Sequence, residues 1–215
     1  MCWNENISLN TFLFGTGSLA FIYYVSTYTQ YTLVEFANPY LYLVCFSFIL
    51  MQGIEFFLWK SIRTKDRVLN RAFSILGWLT LYVVQPISIL LMVSHQYPSI
   101  RLLSWIAFYG AIFVLVFGYK WLTDPVKFVT TVGQQGHLYW NWNEFHGFEY
   151  MICAFYFAIC LSAFLVVPWI AGYIFLLLIG SLLIYNPFST MWCWYVNSLL
   201  LFFLVKILFI LPLQM

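Results

Sequence analysis

Between Arg101 and Lys120 the chain runs "LLSWIAFYGAIFVLVFGY" without a single charge. A helix crosses the roughly 30 Å of bilayer hydrocarbon with about 20 such residues. Inside lipid the backbone must satisfy its own hydrogen bonds, so long apolar runs of this kind fold as helices. Similar runs recur along the chain. They predict spans at Thr11–Tyr28, Pro39–Trp59, Ala72–Val93, Ile100–Phe117, Gly147–Val167, Ala171–Tyr185 and Met191–Leu211, with Pro168 and Pro187 as boundary residues. The expected fold is all-α: one polytopic transmembrane domain over 1–215, a bundle of seven helices, with a polar cap over 119–146. Composition agrees. The chain is 64% hydrophobic and 7% charged, against about 45–50% and about 25% for a soluble domain. A net charge of +2 gives nucleic acid no footing. The lipid bilayer is the expected partner.

Basic residues orient the bundle. Lys60, Arg63, Lys65, Arg67 and Arg71 fall between the second and third runs, and Lys120 and Lys127 between the fourth and fifth. Placing both loops in the cytosol leaves Arg101 on the other side, which puts the N-terminus in the cytosol and the C-terminus outside. The first ten residues lack a basic region followed by an apolar core, so the first run is expected to stay in the membrane as its own insertion signal. Cys45, Cys153 and Cys160 sit in apolar runs and are expected to pack as small hydrophobes.

The polar residues that interrupt this pattern gather toward the cytosolic side. Gln52 and Glu55 are three apart near the end of the second helix and share a face. An acid in a span costs on the order of 2.5–3.5 kcal/mol at the helix centre and less near its end. A buried carboxyl there suits a ligand, a cation or a proton, whereas an interfacial one would snorkel or pair with Lys60. Gln85 precedes Pro86 in the third run, where the proline frees a carbonyl one turn back for a neighbour to satisfy. The longest polar stretch is "TTVGQQGHLYWNWNEFHGFEY", residues 130–150. It offers His137 and Trp140 on one potential helical face, with Glu144 and Glu149 suited to the positive end of the following helix. His137, His146, Glu144 and Cys193 are weak metal candidates, because the HxxxH and HExxH spacings are missing. A Cys193–His137 dyad is conceivable on the same side, yet no GxSxG or HExxH motif accompanies it. Lys206 in the last helix raises a retinal reading. No acid in the third helix stands as counterion and Glu55 belongs to the opposite end, so retinal is disfavoured and a lysine turned toward Glu35 is expected instead.

Five motifs come in order: "MCWN" with Ser8 following, "MQGIEFFLW", "QP", "TVGQQGHLYW" and "WCW". Together they resemble a family of small seven-helix membrane proteins associated with large DNA viruses of protists. The resemblance implies seven spans and singles out Cys2, Trp3, Glu55, Gln85, Pro86, Gly136, His137, Trp140, Trp192 and Cys193. It implies no activity. The chain departs from the pattern where a proline is expected in "VGQQG".

Three functions fit these residues. The first is a binding or transport protein for a small molecule or ion, with Gln52, Glu55, Gln85 and His137 as polar contacts, Trp140 and Trp192 as aromatic walls, and Cys2, Trp3 and Cys193 nearby. The second is an intramembrane enzyme on a lipid-like substrate, with His137 or Glu55 as acid or base and Cys193 as nucleophile or metal ligand. The third is a structural or assembly protein of a viral or organellar membrane. The gathering of polar residues at one end favours the first.

Overall fold

The computed structural model describes residues 4–99, 101–134, 136–184 and 188–214, with side chains at all of these except 125, 174, 177, 178, 180–184, 188–196 and 214. Helices dominate: α1 (Glu5–Tyr28), α2 (Tyr40–Thr64), α3 (Arg67–Leu79), α4 (Gln85–Gln96), α5 (Leu102–Thr123), α6 (Tyr150–Ser162), α7 (Pro168–Ile184) and α8 (Phe188–Val205). A π turn, Thr80–Val84, joins α3 to α4 in one rod, Arg67–Gln96. Among the described residues, four helical segments are long and apolar enough to cross a membrane: Tyr40–Thr64, Arg67–Gln96, Leu102–Thr123 and Gly147–Leu165. Asn197–Leu213 is a shorter apolar helix.

Local chemistry sets the ends of these helices. α1 starts before the expected Thr11 because Asn4 caps it, its side chain accepting from the Ile7 N–H at 2.9 Å. α2 runs past Trp59 to Thr64 and stops at Lys65, which takes the left-handed conformation at φ 56°. Asp66 then caps α3 by accepting from the Leu69 N–H at 2.9 Å, so the chain reverses within two residues. Within the rod, Pro86 has no N–H to donate and its ring crowds the turn behind it. The helix widens there, and the Gln85 N–H donates to the Thr80 carbonyl five residues back.

α1 lies along α2 through a stripe of small and polar residues, Ser8, Thr11, Gly15 and Ser18, all buried. Small residues let two membrane helices approach closely. A Cβ on Gly15 would fall 3.0 Å from Ile49 and 2.5 Å from the Asn197 side chain, so α1, α2 and α8 meet there. Gly17, two residues on, faces open space.

The 119–146 region is more structured than a polar loop. α5 continues to Thr123, and an antiparallel hairpin follows, β1 (Thr130–Val132) with β2 (Leu138–Trp140), pairing Thr131 with Tyr139. The expectation that His137 and Trp140 share a helical face is therefore wrong. His137 sits at the bend before β2, and the extended chain buries Leu138 and Trp140 while Tyr139 points out. The turn closes without the missing proline. The Gly133 N–H donates to the His137 carbonyl at 2.8 Å and the Gly136 N–H to the Gly133 carbonyl at 3.0 Å, with Gly136 at φ 74°.

Candidate functional site at the capped end

Gln52 and Glu55 occupy one face of α2, as their spacing predicts. The Gln52 amide donates to the Glu55 carboxylate at 2.9 Å, and both residues are 0% exposed. Because α2 runs on to Thr64, Glu55 lies about two and a half turns inside the helix, and it is buried in the bundle and not turned to the surface as a snorkelling acid would be. Lys60, the alternative partner, is exposed. The flanking residues Met51 and Ile54 meet Trp142 of the cap around Gly77 of α3, where a Cβ would lie 3.4–3.8 Å from all three. The cap thus rests on the turn of α2 that carries the acid.

A buried amide network fixes the cap on α2 and α3. Asn70 donates from Nδ2 to the Thr130 carbonyl at 3.0 Å and accepts at Oδ1 from the Thr130 N–H at 3.0 Å. Its Nδ2 also donates to Ser61 Oγ at 3.1 Å, and Ser74 Oγ lies 2.8 Å from Thr130 Oγ1. One side chain therefore satisfies both backbone groups at the start of β1. Inside the cap, Trp140 and Trp142 stack with centroids 5.1 Å apart, and Trp142 is fully buried with its ring against the edge of Tyr82. Tyr82 donates to Asn143 Oδ1 at 2.6 Å. His137 is also buried, and that burial holds its imidazole below the usual proton affinity.

Lys120 is the charge the sequence reading misplaced. Assigned to a loop, it is instead in the last turn of α5 and only 3% exposed. It donates to the Glu144 carbonyl, lies 3.6 Å from Glu149 Oε2 and sits 4.4 Å from the centre of the Phe145 ring. Glu149 also accepts from the His146 N–H at 3.0 Å, closing the first turn before α6. At the outer edge Tyr139 donates to Glu144, which pairs with Lys127 at 3.5 Å. The Tyr139 hydrogen bond holds the Glu144 carboxyl below the usual carboxylate range and pushes the Tyr139 phenol up.

A comparison with family models, curated proteins and solved structures found no match.

Gln85 belongs to another locus. Tyr156 donates to its Oε1 at 2.7 Å, and its Nε2 reaches the Ser47 carbonyl at 3.5 Å. Ser47 precedes Glu55 by eight residues, which is about 12 Å of helix. Cys2 and Trp3, and the side chains of Trp192 and Cys193, lie outside the described residues. So does the Cys193–His137 dyad. Among the described residues no three His, Cys, Asp or Glu side chains gather as metal ligands, and Glu144 is turned instead to Tyr139 and Lys127. At the far end Lys206 pairs with Glu35 at 2.8 Å, the partner the sequence suggested.

Two signals for the missed residues were in the sequence. Lys120 continues the buried stripe Tyr109, Ile112, Val116 of α5, spaced as one helical face. Asn70, Ser74 and Gly77 likewise mark one face of α3.

Proposed function

We propose that this protein is a seven-span membrane protein whose capped end lies in the cytosol and whose Glu55 binds a small cation or a cationic small molecule. The burial of Glu55 carries the proposal. Among the described residues it is the fully buried acid of a membrane-length helix, partnered by a carboxamide on its own helix. Acids at such positions are costly and mark ligand or ion sites. The carboxylate supplies charge, Gln52 orients it, and the hairpin with Trp142 closes the end of the bundle above it.

The orientation rests on charge. Seven of the nine basic residues, Lys60, Arg63, Lys65, Arg67, Arg71, Lys120 and Lys127, belong to the capped end, and an excess of Lys and Arg marks the cytosolic side. The Glu5–Arg63 pair, at 2.9 Å, ties the start of α1 to the same end. The likeness of the five motifs to small seven-helix proteins of large DNA viruses agrees with this reading and adds no activity to it.

The test is thermal melting of the purified protein in mild detergent against Na⁺, K⁺, Mg²⁺, Ca²⁺, Zn²⁺ and a set of small organic amines. At least one should raise the melting temperature of the wild type and leave Glu55→Gln unmoved. Equal responses of both proteins to every compound would overturn the proposal.

A further inference from the structure

Away from the cap, α2, α4, α6, α7 and α8 surround a partly open apolar pocket. Its walls include Phe48, Met92, Phe157, Ala171 and Leu199, and among the described residues the side-chain heteroatoms that line it are sulfurs, those of Met92, Cys45 and Cys160. The lining comes from the half of each rod farther from the hairpin: residues 41–48 of α2, which runs toward the cap, and Ile89 and Met92 of α4, which runs away from it.

We infer that this pocket holds one acyl chain of a membrane phospholipid from the leaflet opposite the cap. Three observations select that occupant. Three of the walls belong to helices of membrane length, so the pocket lies at hydrocarbon depth and acyl chains are the medium around it. Water needs two to four polar partners to occupy a cavity, and the described lining residues are almost wholly apolar. Of the lining residues, Leu161 and Phe175 are the exposed ones, at 44% and 37%, so a chain would enter sideways between α6 and α7 and not through the cap. Beyond the end of the pocket the polar aromatics appear. Tyr40, next to the lining residue Leu41, packs its ring 5.4 Å from that of His95, and Tyr97 donates to the Leu165 carbonyl at 2.9 Å. Such side chains belong at the headgroup level, where the rest of the lipid would sit.

The experiment uses the full chain in phosphatidylcholine vesicles doped with a phosphatidylcholine carrying a diazirine on its acyl chain. After irradiation, adducts are mapped by peptide mass spectrometry in wild type and in Ala171→Trp, which fills the pocket. Adducts in the wild type should concentrate on peptides holding Leu161, Phe164 and Phe175. They should be lost in Ala171→Trp while labelling at Leu103 and Val114, which are 81% and 68% exposed, stays the same. Labelling at Leu161 no denser than at Leu103, and unchanged by Ala171→Trp, would overturn the inference. Should Ala171→Trp fail to fold, a wild-type titration decides. Adducts at Leu161 saturate with rising probe lipid if the pocket is a site, and rise in proportion, like those at Leu103, if it is not.

Discussion

The Gln52 amide reaches the Glu55 carboxylate at 2.9 Å, three residues along the same helix, with both side chains closed off from the surface. A hydrogen bond of this kind keeps a carboxylate in a fixed rotamer at a depth where an unpartnered charge is costly. The turn that carries the acid lies beside the cap, because Met51 and Ile54 of that turn and Trp142 of the cap all close on Gly77. Acid and lid are thus parts of one assembly, held by two helices and a hairpin.

The hold of the hairpin is concentrated in Asn70. Replacing it by alanine strips partners from both the Thr130 N–H and the Thr130 carbonyl, at about 1–3 kcal/mol for each buried group left unsatisfied. Asn70→Ala should melt several degrees lower and be cut by protease within 128–146. Asn70→Asp should fare no better, since a carboxylate oxygen would face the Thr130 carbonyl.

Lys120 and Glu149 form a buried pair, with side chains 3% and 9% exposed. Removing one partner strands the other charge, a loss of about 3–5 kcal/mol. Lys120→Met and Glu149→Gln should each destabilise, and the double variant should recover much of the loss. A double-mutant cycle of melting free energies checks this; additive losses would contradict it.

Gly15 and Gly17 are two residues apart on α1 with opposite surroundings. A methyl at Gly15 meets Ile49 and Asn197, while one at Gly17 meets nothing within 4 Å. Gly15→Ala should cost about 1–3 kcal/mol through overpacking, and Gly17→Ala should be neutral or stabilising by up to about 1 kcal/mol. Melting of the two variants side by side is the check.

Acid should loosen the cap. Burial lowers the proton affinity of His137 in the folded protein, so the unfolded chain binds more protons there. Its contribution is complete above the unfolded imidazole value of about 6.5 and is lost as pH falls below that through the folded value. The Tyr139 hydrogen bond lowers the Glu144 carboxyl in the same sense. Its share is present above about 4.3 and is lost at lower pH. Tryptophan emission from the cap should therefore shift between pH 7 and 5, and His137→Gln should remove that upper step.

The rods were legible because membrane length and hydrophobicity leave the chain one choice of structure, and Gln52 with Glu55 was legible because helical spacing is rigid. The cap was not. A hairpin three residues long on each side carries too little alternation to outweigh a helical reading of Gly136, His137 and Trp140. Its position depends on Asn70, sixty residues away in sequence. Lys120 was hidden for a related reason. A lysine after a long apolar run reads as a loop charge until a carboxylate from the next helix is seen to reach it. Gln85 reads as part of the acid's cluster because both are polar residues within apolar helices, and only the packing of α4 on α2 and α6 separates them.

The most direct measurement is native mass spectrometry of the protein from mild detergent, wild type beside Glu55→Gln. The wild type should carry a stoichiometric small adduct that Glu55→Gln loses while its melting temperature holds. A bare wild type, or the same adduct on both proteins, would contradict a cation site at Glu55.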